Sequence, residues 1–280
     1  MARLSSPTTA AATTDVWGQL RGRRDLPAFP AVINEINALL LDPTTSAGDL
    51  SEVICRDQSL TAKLLKLVNA AYYGFHRQIT GIQEAVSLLG FEEMQSLALA
   101  ASVMGMWDNS MGDPELHARL WDHSIAAGRV AREIAIVSPR SAEVADVFIG
   151  GLLHDIGKVV LQIEFPTECA EAMERLSPEN QSSTEVETGI LGVGHAEVGA
   201  WLLDRWQLPL ELVDAVRWHH APECAETAPV LAAILRAATD LARCLSEERE
   251  LDSAGLEPLG MEERHVLEIS DRLVAGGWRR

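Results

Sequence analysis

Gly150-Gly151-Leu152-Leu153-His154-Asp155-Ile156-Gly157-Lys158 sets an imidazole and a carboxylate side by side in an otherwise apolar run. Ionisable groups in such surroundings need partners, because burying them unpaired is costly. The run sits at the end of a helical pattern of apolar residues over 143–156. Neighbouring residues on a helix point about 100° apart. His154 and Asp155 could therefore serve two metal ions, or one ion and a supporting role behind it.

Working outward, helical spacing recurs over 116–137, 168–176, 195–206, 210–219 and 230–245, with polar breaks at 138–141 and 177–184. The first hundred residues predict shorter helices. A stripe of Val32, Ile33, Ile36, Leu39 and Leu40 ends before Asp42-Pro43, where proline disfavours helical geometry in the preceding residue. Ser46 with Asp49 resembles a capping box for a helix through Cys55, and Ser59 is placed to cap the next. Thr80 with Gln83 repeats the box ahead of a helix that Gly90 stops. A helix over 91–107 closes this unit, and the turn-forming cluster 108–114 reads as a junction. No stretch alternates with the period of two of an exposed sheet face, and no repeat of 20 to 50 residues marks a solenoid. The expectation is an all-α chain: a disordered or extended lead-in over 1–24, a helical subdomain over 25–113, a second over 114–247, and a partly independent helical tail over 248–280.

Five of the eight histidines, His123, His154, His195, His219 and His220, fall in the second subdomain together with Asp155 and Asp240. Imidazole nitrogens with carboxylate oxygens suit Fe, Mn, Zn and similar divalent ions, and a carboxylate can bridge two of them. Each residue also has a plainer role. Taken singly, His123 and His195 read as hydrogen-bonded or half-exposed helix residues. Asp240, in the apolar run 234–241, wants a partner, and Arg236 and Arg243 are close in sequence. His219-His220 precedes Ala221-Pro222 at a helix end, where protonated imidazoles favour the macrodipole.

At 280 residues the chain can bury a sizeable core. Its formal charge of −18 repels a phosphate backbone, which speaks against nucleic-acid binding. Every apolar run is broken before about 18 residues, which excludes a membrane span. The first residues lack the apolar core of a secretory signal, so a cytoplasmic location is expected. Cys55, Cys169, Cys224 and Cys244 stand far apart, without the spacing of a zinc or redox motif.

The segment Gly151-Leu152-Leu153-His154-Asp155-Ile156-Gly157-Lys158 resembles the signature of the HD superfamily of metal-dependent phosphohydrolases. Leu26-Pro27-Ala28-Phe29-Pro30, the stretch from Asp57-Gln58-Ser59-Leu60 to Leu67-Val68-Asn69, Ile82 to Gly90, and Gly194-His195-Ala196-Glu197-Val198-Gly199 with Trp206 and Leu208-Pro209 are similar to the HDOD family of bacterial signalling domains. The resemblance spans 26–245. It implies an N-terminal helical subdomain packed on an HD-type helical subdomain. It further implies a regulatory role, such as response-regulator output, through a protein partner or a small phosphorylated ligand.

By analogy with HD-GYP phosphodiesterases, His123, His154, Asp155, His195, His219, His220 and Asp240 stand in the order of the ligands of a dinuclear site, with Asp155 bridging. Asp155 and Lys158 are the residues such an enzyme would use, the lysine holding a phosphate oxygen or orienting a water. Many HDOD members have lost these ligands, and here the set is retained. Two departures matter. His219-His220-Ala221-Pro222-Glu223-Cys224 replaces the glycine-rich stretch ending in Gly-Tyr-Pro, and Arg119 stands where some HD-GYP sites carry a glutamate for a third metal. One or two ions are expected, and metal binding is better supported than any particular hydrolysis. The alternative function is a metal-dependent phosphohydrolase or phosphodiesterase acting on a nucleotide or other phosphoester. Glu35, Asn69, Tyr72 and Tyr73 could line a surface between subdomains, or be ordinary helix faces and a capping asparagine. Trp201, Trp206 and Trp218 are most simply packing bulk.

Overall fold

The computed structural model describes residues 15–23, 31–40, 42, 44–69, 77–107, 114–140, 147–176, 183–247 and 254–275. Among these the chain is all-helical, with no strand. No helix among them is long and apolar enough to cross a membrane.

The first half contains α2 (Ala31–Leu40), α3 (Ala47–Cys55), α4 (Gln58–Val68), α5 (Ile82–Leu89) and α6 (Phe91–Trp107), preceded by α1 (Val16–Gly22). Ser46 and Asp49 do form the reciprocal capping box of α3. The cap of α4 is Asp57 rather than Ser59: its carboxylate accepts from the amides of Ser59 and Leu60, and it precedes the first turn. Likewise α5 begins after Gly81, with no side-chain cap from Thr80. Gly90 ends α5 at φ 86°, a conformation that glycine adopts without the penalty a Cβ imposes. Ile33, Ile36, Leu50, Ile54, Leu64 and Met94 fill the core where α2, α3, α4 and α6 meet. Asn69 is structural: its amide donates to the carbonyls of Leu65 and Ile79 and accepts the Ile79 amide, tying the end of α4 to the segment before α5. Glu35 pairs with Arg56 at 2.9 Å on the surface. Tyr72 and Tyr73, and the junction over 108–113, lie outside the described residues.

The second half runs α7 (Pro114–Val137), α8 (Val147–Leu153), α9 (Ile156–Glu164), α10 (Pro166–Arg175), α11 (Ser183–Leu191), α12 (His195–Arg205), α13 (Leu210–Trp218), α14 (Pro229–Glu247) and α15 (Glu263–Ala275). The long α7 is the spine, packing against α8, α14 and α15, while α12 lies on α9 and α13. Helices α7 and α8 cross where Gly128 meets Gly151; a Cβ on Gly151 would stand 2.5 Å from the Gly128 Cα. Gly128 and Gly151 thus let two backbones touch shortly before the His-Asp pair, while Gly150 faces the side chains of Leu235 and Leu212. Glu93 of α6 joins the halves through Arg132 of α7 at 2.7 Å.

Three expectations change. The helix over 143–156 stops at Leu153 where it is described, and His154-Asp155 forms a turn before a separate α9. Helix α11, within a stretch that sequence periodicity left unassigned, is also present. The lead-in is helical from Val16: Asp15 accepts the Gly18 amide at 2.9 Å, Val16 and Leu20 are buried, and Trp17 meets Trp201 of α12 edge-on with centroids 6.0 Å apart. Arg23 pairs with Glu164 of α9. The start of the described chain therefore packs on the second half. The last helix is not independent either: Val266, Ile269 and Leu273 are buried, and Arg272 reaches the buried Glu133 of α7 at 2.5 Å.

Candidate metal centre

Six of the seven expected ligands converge. His123, His154 and Asp155 form one group, and His195, His219 and His220 another, the potential ligand atoms within each lying within 4.8 Å of one another. His123 projects from mid-α7, and His195 is the first residue of α12. Both adjacent pairs sit just past helix C-termini, His154-Asp155 after α8 and His219-His220 after α13. A helix end leaves carbonyls without intrahelical partners. His154 Nδ1 lies 2.7 Å from the Gly151 carbonyl, and His219 Nδ1 is 2.7 Å from that of Val216. The same three-residue reach thus fixes both tautomers, since Nδ1 must carry the proton to donate. Each Nε2 is left with its lone pair, and both atoms are buried without a hydrogen-bond partner.

Asp155 touches both groups. Its Oδ2 is 3.4 Å from His154 Nε2, 4.0 Å from His123 Nε2 and 2.7 Å from Lys158 Nζ, while Oδ1 is 3.2 Å from His195 Nε2. Burial pushes this carboxyl up, but the adjoining His154 and the Lys158 ammonium outweigh it and hold Asp155 well below the usual range. Burial and the neighbouring His154 bring His123 down to about 4; burial and His195 bring His220 down to about 3. Burial and the surrounding imidazoles also carry His219 well down. These rings are neutral at ordinary pH, the form that binds metals. His195 differs. Burial and Lys158 push it down, yet hydrogen bonds to Asp155 and Glu187 raise it overall.

The donor set fits divalent cations on three grounds. Five imidazoles and one carboxylate are the ligands that Fe, Mn and Zn accept. The buried Nε2 atoms of His154 and His219 are oriented as acceptors with nothing in the protein to accept from. His220 Nε2 lies 2.9 Å from His195 Nε2, a hydrogen-bond distance that brings two ring donors to one point, where an ion would replace the shared proton.

Asp240, the seventh expected ligand, belongs to neither group. Its carboxylate is half-exposed and pairs with Arg236 Nε at 2.7 Å, one helical turn away on α14. Arg236 also donates to the His220 carbonyl at 2.8 Å, so it stands between Asp240 and the centre. Glu187 was missed by sequence reasoning: its Oε2 accepts the His195 amide at 2.7 Å and lies 2.6 Å from His195 Nδ1. It sits on α11, and a Glu eight residues before a ligand histidine carries no recognised spacing.

An all-helical frame carrying a His-Asp turn that joins two three-ligand groups defines an HD-type protein. The HDOD domain family matches residues 26–222, and the chain belongs to that family. A Treponema pallidum protein is 32% identical over 203 residues, covering 71% of this chain and 39% of its own length; the chain thus spans about two fifths of that relative. A signal-transduction candidate from Marinobacter aquaeolei is 26% identical with a TM-score of 0.71, covering 89% of this chain and 57% of that one. An HDOD domain protein of Geobacter sulfurreducens shares the fold, at 24% identity and a TM-score of 0.71, over 94% of this chain and 88% of its own.

Proposed function

We propose that this chain is a regulatory module that holds up to two divalent cations, Fe, Mn or Zn, and acts through a protein partner or a small phosphorylated ligand. One observation carries the reading: two groups of three donors adjoin at a buried carboxylate, Asp155, a member of one group and 3.2 Å from His195 of the other, with ring nitrogens of His154 and His219 left for a cation. The likeness to a signal-transduction candidate supports the regulatory half of it.

A second reading, phosphoester hydrolysis, is favoured by Lys158, whose ammonium lies 2.7 Å from Asp155 and remains partly open to solvent. Divalent ions at such a centre supply Lewis acidity and charge neutralisation. Lys158 would hold a phosphate oxygen at the rim, Asp155 would hold the two ligand groups together, and His123 and His220 would border the same opening.

Metal analysis of the purified protein tests the first reading. Up to two ions per chain are expected in the wild type and a marked loss in Asp155→Asn; a wild type that takes up none of the three metals under loading defeats it. Turnover across phosphodiesters and phosphomonoesters, abolished in Asp155→Asn and weakened in Lys158→Ala, selects the hydrolase. Loading without turnover leaves the regulatory module.

A further inference from the structure

We infer that Glu187 is a positioning residue for the second ligand group and sets its affinity for a cation, an inference that rests on the metal-binding reading. The two groups differ in charge. The His123 and His154 group includes the Asp155 carboxylate as a ligand, whereas the other consists of three imidazoles. His154 and His219 are each oriented by a neutral backbone carbonyl. His195 alone among the described ligands has a carboxylate behind it, largely buried and gripping it twice through one oxygen, 2.7 Å from its amide and 2.6 Å from Nδ1.

Two consequences follow from that contact. The amide contact fixes the first residue of α12, and the ring contact fixes rotation about the side chain, so Nε2 is aimed at His220 and Asp155. A carboxylate receiving the Nδ1 proton also makes the opposite nitrogen a stronger donor and places a negative charge close to an otherwise neutral ligand set. Because α11 and α12 are joined by three residues, Gly192 to Gly194, with Gly192 at φ 75°, the carboxylate is delivered by a short, closed connection.

The test compares wild type, Glu187→Ala and Glu187→Gln by titration with Zn and Mn and by ring N–H proton resonances of selectively 15N-histidine-labelled protein. Alanine is expected to weaken one of the two ions by roughly ten- to hundredfold while the other changes little. Glutamine, whose single amide oxygen can still accept both N–H groups, falls between. The downfield Nδ1–H resonance of His195, expected in wild type with or without metal, moves in glutamine and vanishes in alanine. Should alanine fail to fold, the glutamine variant carries both readouts. Two ions bound with unchanged affinities in both variants overturn the inference alone, as does an unmoved resonance. Equal weakening of both ions, in step with a lowered melting temperature, reduces Glu187 to a structural role and overturns it too. A wild type that binds no ion removes the metal-binding reading itself.

Discussion

At Gly157 a methyl group would stand 1.9 Å from the carbonyl oxygen of His195 and 2.7 Å from the Gly199 amide nitrogen. Both obstacles are backbone, so α9 and α12 would have to separate. Gly157→Ala is expected to cost about 3 kcal/mol, at the upper end of overpacking penalties, and to weaken metal retention. At Gly189, in the last turn of α11, a Cβ meets nothing within 4 Å. Gly189→Ala should stabilise by about 0.5–1 kcal/mol through helix propensity. Urea titrations of both variants check the opposite signs. Cys169 gives a chemical prediction. Burial, with Glu187 and Glu168 adding to it, pushes its thiol up to about 12, leaving about one part in ten thousand as thiolate at pH 8. Cys55 and Cys224 are exposed. Alkylation at pH 8 followed by mass spectrometry should label those two well before Cys169; equal rates would contradict the described burial.

At the scale of elements, α1 shows what periodicity alone misses. Seven residues are too few for a pattern of apolar spacing, yet Val16 and Leu20 lie one turn apart and both are buried. Leu20→Ala is expected to cost about 2–4 kcal/mol, whereas Arg23→Ala, at a half-exposed ion pair, should cost under about 1 kcal/mol. Thermal melts of the two variants check that ratio. The amphipathic helices α2, α3 and α13 were legible because each has one wet face. The break at His154-Asp155 was not, since apolar residues continue on both sides of it and nothing local interrupts the spacing; the turn is imposed by packing of α8 on α7 and of α9 on α12. Ser59 and Thr80 mislead for different reasons: Asp57, two residues earlier, takes the cap of α4, and α5 starts one residue beyond Thr80, at Gly81, with no side-chain cap.

At the scale of the molecule, the candidate ligands come from α7, the α8–α9 turn, α12 and the end of α13, so a bound ion would fasten elements that are far apart in sequence. An ion that binds the folded state and not the unfolded one stabilises by about 4 kcal/mol at a thousandfold excess over its Kd. Zn or Mn should therefore raise the melting temperature of wild type, EDTA should reverse the rise, and Asp155→Asn should show neither effect. Six of the seven residues expected as ligands converge, and they were legible because residue type and order survive in sequence; the departure of Asp240 was not, because its capture by Arg236 depends on side-chain geometry four residues away on the same helix. Glu187 stayed hidden because a supporting carboxylate needs no fixed spacing from the ring it holds.

The side chains of His154, His195 and His219 have no solvent exposure, while His123 and Lys158 retain about a fifth of theirs. An ion entering the centre from solvent would therefore pass His123, Lys158 and the half-buried His220. Exchange of such an ion would then depend on access past these side chains as well as on affinity. A compact chelator should strip the protein faster than a bulky one of equal strength, and Lys158→Ala should narrow the difference between them.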